Sequence, residues 1–174
     1  RFMLSPTTLR DAFWADLKGS QADCQLMGLY LGQKQAQMHQ FTQIHHQVAE
    51  GKSNQVYRAI ASDSACVNLQ GRVIIDQGAD QVDADQQGKH LLLDSGAQIN
   101  TLPELEVYAD DVTCTHGACI GQLDEDALYY CQSRGMALEE AKTLLMLSHL
   151  NSVVNSLSDD TLRQRLTRWC EDLF

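Results

Sequence analysis

Short apolar runs alternate with polar turn segments from about residue 25 to residue 120. Examples are residues 29–31, 73–75 and 91–93, and none of these runs is long enough for a convincing helix. Short strands separated by turns are the structure that this alternation favours. We therefore predict a mostly β body over residues 1–122.

A loose internal repeat runs through this predicted β body. Asp76-Gln77-Gly78-Ala79 recurs 18 residues later as Asp94-Ser95-Gly96-Ala97, and a triple apolar run precedes each Asp. Strand–turn units of this length, with Gly-Ala at the corners, indicate the stacked coils of a β-solenoid. The Gln-rich residues 33–47 and 77–87 suit outward faces and turns. A β-sandwich, which also has short strands and turns, is the alternative.

The character of the sequence changes after residue 122, where three helices are predicted. Asp124-Glu125-Asp126 suits the positive end of a helix dipole, and Gly135 is a natural C-terminal stop. A second helix is predicted from about residue 138 to residue 150, with Leu138 and Leu144 among its inward residues. A third begins near Ser158, which can cap it. We therefore predict a helical domain over residues 123–174.

Composition narrows the class of protein. The 174 residues carry a net charge of -10, which argues against nucleic-acid binding because that needs a basic surface. No apolar run approaches the roughly 20 residues that a membrane-spanning helix needs. The six cysteines lack the spacing that is typical of disulfide-rich domains, which indicates free thiols in a reducing cytosol. We expect a cytoplasmic protein whose partners include neither nucleic acid nor a membrane.

One predicted strand carries a pair of candidate metal ligands. Cys114 and His116 are two residues apart, so in a strand their side chains lie on the same face. A thiolate and an imidazole are suitable ligands for iron, although two ligands do not complete a four-ligand site. The alternative is an inward Cys and a hydrogen-bonded His that bind no metal. Cys114 could also act as a nucleophile with His116 as its base, but no third group that would orient the base is evident in the sequence.

Acidic residues near this strand suggest a second kind of chemistry. Glu104, Glu106, Asp110 and Asp111 invite comparison with the paired carboxylates of glycoside hydrolysis. Glu104 and Glu106 flank an apolar Leu on a strand, where such charges usually form a solvated face. Asp110 and Asp111 lie at a predicted turn. We therefore favour a solvated face over catalysis by these acids.

The remaining histidines of the β body fit ordinary positions. His45 and His46 are adjacent, so in a strand they face opposite sides and are poorly placed to share a metal. His39 and His90 each stand alone. We expect surface or turn roles for all four.

Several short sequence motifs are spread from about residue 25 to residue 150, most densely from residue 91 to residue 135. Together they resemble the SufD form of the SufB/SufD family of SUF-system iron–sulfur cluster assembly proteins. The motifs are Gly28-Leu29-Tyr30-Leu31-Gly32, Leu69-Gln70-Gly71-Arg72-Val73-Ile74, Leu91-Leu92-Leu93-Asp94-Ser95-Gly96-Ala97, Thr101-Leu102-Pro103-Glu104-Leu105-Glu106, Asp110-Asp111-Val112-Thr113-Cys114-Thr115-His116-Gly117 and Ala127-Leu128-Tyr129-Tyr130-Cys131-Gln132-Ser133-Arg134-Gly135.

The resemblance implies a right-handed parallel β-helix followed by a C-terminal helical domain. It also implies that the chain is a C-terminal portion, with a β-helix that is incomplete at its N-terminal side. The implied role is that of a non-enzymatic scaffold subunit, on which a nascent iron–sulfur cluster is built together with a SufB-like paralogue and a SufC-like ABC ATPase. The chain has no phosphate-binding G-x-x-x-x-G-K-[ST] sequence, so ATP hydrolysis is expected of the partner.

The resemblance also carries over specific residues. Cys114 and His116 become candidate cluster or iron ligands at the subunit interface, and no cofactor is expected to stay bound to the chain alone. The β-helix edge could also pair with a second copy of the chain. A purely structural interaction module stays open as an alternative. The candidate ATPase-docking residues lie on the first two predicted helices: Tyr129, Tyr130, Arg134, Leu138 and Leu145.

Overall fold

The computed structural model describes residues 2–4 and 7–173, which form strands followed by helices. The strands are β1 (Phe2–Leu4), β2 (Thr8–Leu17), β3 (Asp23–Gly32), β4 (Gln37–His46), β5 (Lys52–Ala61), β6 (Cys66–Ile75), β7 (Val82–Leu92), β8 (Gln98–Val107) and β9 (Val112–Gly121). The helices are α1 (Glu125–Ser133), α2 (Leu138–Val154) and α3 (Asp160–Glu171). The chain divides into two compact units, Arg1–Ile120 and Gly121–Phe174.

Successive strands of the first unit alternate between two sheets. One sheet has the order β1-β3-β5-β7-β9 and the other has the order β2-β4-β6-β8. The described pairs from β1–β3 to β6–β8 are parallel. A chain that returns to the same sheet after every second strand is a β-solenoid, which confirms the predicted fold class. The β-sandwich alternative is wrong, and the handedness of the coil stays a prediction.

One coil of the solenoid contains two strands and two corners. The register sets Asp23 opposite Lys52, a rise of 29 residues, and Cys66 opposite Gln98, a rise of 32 residues. The 18-residue sequence repeat is therefore shorter than a coil. Its two Gly-Ala corners precede β7 and β8, which belong to different sheets, so the repeat spans about half a coil.

The core lies between the two sheets because side chains alternate between inward and outward positions along each strand. Met38, Val67 and Ile99 occupy neighbouring inward positions on β4, β6 and β8, and all three are buried. Ile44 and Val73 form a second such row. Fully burying an aliphatic side chain of this size contributes about 1.5–3 kcal/mol before entropy costs. Stacked rows of this kind hold each coil to the next.

Polar side chains interrupt this apolar core, although most glutamines of the two Gln-rich stretches are exposed or half-buried, as predicted. Gln40, Gln55 and Gln86 are buried. Thr42 Oγ1 donates to Gln55 Oε1 over 3.1 Å, and the Tyr57 hydroxyl lies 3.0 Å from both of those atoms. We call Gln40, Thr42, Gln55, Tyr57 and Gln86 the polar layer. Their strand positions have the inward parity, so the backbone places their amides and hydroxyls inside.

Carboxylates join the corners of successive coils. The Lys34 amide donates to Asp63 Oδ2 and the Asp63 amide donates to Asp94 Oδ2, both over 2.7 Å. Lys34 and Asp63 have positive φ values of 59° and 56°, so these corners turn through the left-handed region without glycine. The side chain of one coil therefore satisfies the backbone donor of the coil before it.

Two histidines of the first unit are buried, and the prediction of surface or turn positions is wrong for them. His46 is fully buried, with Nε2 2.9 Å from Ser53 Oγ, and His90 is also buried. His39 is exposed, as expected. His45 is half-buried and its Nε2 lies 2.8 Å from the Asp76 carboxylate.

The second unit contains the three helices. The Asp124 carboxylate caps α1 by accepting from the amides of Asp126 and Ala127, and Gly135 follows the helix with a φ of 94°, as the sequence predicts. The cap of α3 is Asp159 and not Ser158. α2 extends to Val154, beyond its predicted end.

Within α2, Leu138 and Leu144 are exposed, although they were predicted to face inward. The buried positions of this helix are Ala141, Met146, Leu150, Val153 and Val154. Among residues 7–173, the helices lack the length and apolar character of a membrane-spanning segment.

Candidate functional site

The candidate ligands lie on β9, the terminal strand of the five-stranded sheet. β9 neighbours β7 on one side, and its other edge carries no strand among the residues that the structure describes. The four-stranded sheet ends at β8. An uncovered strand edge presents backbone donors and acceptors to any chain that can pair with it.

Cys114 is half-buried at the inner side of this strand. It packs against the buried cluster that contains Val73, Ile75, Val82 and Ala84. Burial raises the pKa of the Cys114 thiol above its ordinary value. A backbone hydrogen bond from Ala84 opposes this effect, and the charge of Asp83 adds to it. The thiol is therefore protonated and weakly nucleophilic at neutral pH in the absence of a metal.

His116 lies on the same face as Cys114, as the spacing of two residues predicts. Its side chain is exposed, as are those of Ala118 and Ile120 farther along that face. No later strand of the four-stranded sheet covers this half of β9 in the described part of the chain. The strand thus presents a half-buried sulfur next to an accessible imidazole.

A groove of about 420 Å³ runs along β7 and β9 beside His116. His116 lines it together with Lys89, Thr115 and Cys119, and the Thr115 hydroxyl donates to the Asp85 carboxylate. Cys119 is exposed and has the opposite strand parity from Cys114, so the two thiols lie on different faces of β9. This makes Cys119 a suitable internal control for the role of Cys114.

The ligand pair is incomplete by itself. Within residues 2–4 and 7–173, no group of three or more His, Cys, Asp or Glu side chains is placed to hold a metal ion. Each of the six cysteines is a free thiol. Two donors on one strand can contribute to a metal centre only when other groups supply the remaining ligands.

Two of the four acidic candidates, both on β8, are engaged in ion pairs, whereas Asp110 and Asp111 are exposed in the bend before β9. Glu104 and Glu106 lie 3.0 Å and 3.3 Å from the Arg72 guanidinium. Hydrogen bonds from Arg72 and Gln70 lower the pKa of the Glu104 carboxyl. A carboxyl that stays ionised is a poor proton donor, so this arrangement does not favour the general acid that glycoside hydrolysis needs.

The predicted docking residues of the second unit are accessible. Tyr129 and Tyr130 on α1 are 74% and 60% exposed, and Arg134 lies 5.2 Å from the centre of the Tyr130 ring. Leu138 is also exposed, whereas Leu145 is half-buried. Exposed aromatic and aliphatic side chains beside an arginine are typical of protein–protein interfaces.

Comparison with known proteins identifies a matching family and several relatives. Residues 2–149 match the family model described as SUF system FeS cluster assembly, SufBD core domain. The chain is 28% identical to the iron–sulfur cluster assembly protein SufD of Escherichia coli over 165 residues, which cover 95% of this chain and 39% of that protein.

Two further relatives also match most of this chain but only a minor part of their own length. A SufBD family protein of Synechocystis is 36% identical over 116 residues, and SufD of Bacillus subtilis is 35% identical over 119 residues. These matches cover 67% of this chain in each case, and 26% and 27% of the relatives. The chain thus spans well under half the length of the relatives that it matches.

Proposed function

This chain belongs to the SufBD core family of SUF-system iron–sulfur cluster assembly proteins, and we propose that it acts as a SufD-like scaffold subunit. Its cargo is a nascent iron–sulfur cluster, and the chain itself catalyses no reaction. The proposal rests on one observation: Cys114 and His116 lie on one face of a strand whose outer edge is unpaired among the described residues.

Cys114 supplies a thiolate to the cluster. Because burial raises the pKa of this thiol, ligation requires that the proton leaves as iron binds. The free subunit is thereby protected from indiscriminate reaction of the sulfur. His116 is already accessible, because its exposed ring presents its nitrogens to an approaching iron ion.

The remaining ligands come from a second subunit that covers β9. A SufB-like paralogue is the proposed partner, since the two donors on this chain do not complete a site. Pairing along the β9 edge would bring the partner's side chains to the same face as Cys114 and His116. A second copy of this chain is the alternative occupant when the paralogue is absent.

The helical unit docks a SufC-like ABC ATPase. Tyr129, Tyr130 and Leu138 supply exposed apolar area, and Arg134 and Leu145 complete the candidate surface. A subunit of the same complex without any ligand role, a purely structural module, is the second hypothesis.

Cluster formation in the complex tests the ligand assignment. The chain is co-expressed with the SufB-like paralogue and the ATPase of the same genome, and cluster content is followed by visible absorption and Mössbauer spectroscopy. Cys114→Ala and His116→Ala should each lower cluster content severalfold while complex assembly is unchanged. Cys119→Ser, a cysteine on the opposite face of the same strand, should retain the cluster.

The outcomes separate the two hypotheses. Normal cluster content in both ligand variants would leave only the structural role. For the docking surface, Tyr129→Ala combined with Tyr130→Ala should weaken ATPase binding at least tenfold, as expected for aromatic residues at the centre of an interface. Leu162→Ala removes an exposed apolar side chain from α3, outside the candidate surface, and should have little effect. Equal ATPase affinity in both variants would disprove the docking assignment.

A further inference from the structure

Gln40 and Gln86 of the polar layer carry buried amide atoms that lack partners among the described residues. Gln40 is 4% exposed and Gln86 is 5% exposed. Neither amide atom of Gln40, nor Oε1 of Gln86, has a hydrogen-bond partner among the residues that the structure describes. A buried amide without a partner is costly, and such groups in native proteins almost always bind another protein group or an ordered water.

A small cavity separates these amides. It measures about 10 Å³ and is lined by Gln40 from the four-stranded sheet and by Gln86 from the five-stranded sheet, among other residues. A single buried water needs roughly 10–15 Å³ and two to four polar partners. The unpartnered atoms offer one donor and two acceptors, which suits a molecule that both donates and accepts.

Glycine provides the room for this arrangement. Gly71 lies on β6, and a Cβ at this position would overlap Nε2 of Gln86. The missing side chain therefore lets the Gln86 amide reach across the interior towards the opposite sheet. The cavity also touches Gly117 and Ala118 of β9, so it lies directly inside the strand that carries the candidate ligands.

We infer that this cavity binds one water molecule, which joins Gln40 of one sheet to Gln86 of the other. The water donates to Oε1 of Gln86 and exchanges a second hydrogen bond with the Gln40 amide. It thereby links the two sheets through amide atoms that have no protein partner among the described residues. This site is independent of the proposed role in cluster assembly.

A high-resolution crystal structure of the chain tests the site directly. A density peak within about 3.2 Å of both amides is expected, and it should be lost when Gln40 is replaced by Met. Well-ordered Gln40 and Gln86 side chains with no peak between them, or with a direct bond to each other, would overturn the inference.

A double-mutant cycle provides a second test that does not depend on crystals. Gln40→Met and Gln86→Met keep the side-chain length and remove the amide, and each should raise the unfolding equilibrium constant about three- to tenfold. The double variant should raise the unfolding equilibrium constant by a factor clearly smaller than the product of the two single factors, because both changes remove the same water. Gln43→Met, on the outward face of β4, should change the constant by less than about threefold.

The sign of the effect decides between a bound water and bare amides. If the amides were unsatisfied in solution, replacing them by an apolar side chain of equal length would lower the unfolding constant. A decrease in either single variant would therefore overturn the inference, as would independent effects of the two substitutions.

Discussion

Buried His46 should make the first unit lose stability as the pH falls. Its ring is fully buried, and burial, reinforced by the charge of neighbouring His45, lowers the pKa below the ordinary 6.5. The folded state therefore keeps a neutral ring at pH values at which the unfolded chain binds a proton. Each pH unit between 6.5 and the lower folded-state pKa should remove up to about 1.4 kcal/mol of unfolding free energy.

Urea unfolding at about pH 7.5 and about pH 5.5 measures this effect, because the interval spans the ordinary histidine pKa. In a Trp169→Phe background, the fluorescence of Trp14 on β2 reports on the first unit alone. The parent protein should lose up to about 1.4 kcal/mol more than His46→Gln over this interval. Exposed His39→Gln should behave like the parent. An unchanged pH dependence in His46→Gln would refute the reasoning.

Three further changes have expected outcomes. Tyr57→Phe removes a donor from the polar layer and should cost about 1–2 kcal/mol in urea unfolding, whereas no change would mean that the layer is hydrated differently. Gly96→Ala places a methyl group 2.6 Å from the Asp63 carbonyl oxygen and should cost about 1–3 kcal/mol, whereas Gly19→Ala, in open space, should be near neutral. With the other cysteines replaced by Ser, Cys114 should react with iodoacetamide more slowly than in the urea-unfolded chain and faster as the pH rises. Equal rates would contradict its burial.

Local sequence signals predicted the elements whose causes are themselves local. The acidic turn at Asp124 begins a helix because its carboxylate caps the first amides, and Gly135 ends it because glycine adopts a positive φ. The alternation of apolar runs with Gly-Ala corners predicted the solenoid. The length of the coil was not predictable from the 18-residue repeat, because the two corners of one coil resemble each other.

Composition alone places the polar residues of the interior at the surface, whereas strand parity places them inside. Gln40 and His46 have the same strand parity as Met38 and Ile44, whose apolar side chains fix the inward face. Counting alternate positions along β4 would therefore have placed them inside. The glycine that makes room for Gln86 lies on a strand of the other sheet, and only the packing of the two sheets reveals that contact.

The candidate site was predictable in its geometry but not in its environment. The spacing of Cys114 and His116 fixes their common face, whatever the rest of the fold. Their different accessibility depends on where each sheet ends, and the sequence pattern of one strand does not encode that. Within residues 2–4 and 7–173 no third ligand joins this pair, so the proposed cluster site depends on ligands from a partner.

The corner contacts have a consequence for how such a protein can change in size. Asp63 serves the coil before it, and Asp94 serves the coil of Asp63 in the same way, so each winding depends on its immediate neighbours. Duplication or loss of one whole winding, about 30 residues, would leave the adjoining windings with equivalent contacts. An insertion of half that length within a strand would misalign every later row. Evolutionary lengthening of this architecture should therefore proceed in whole windings, with loose segments confined to the bends.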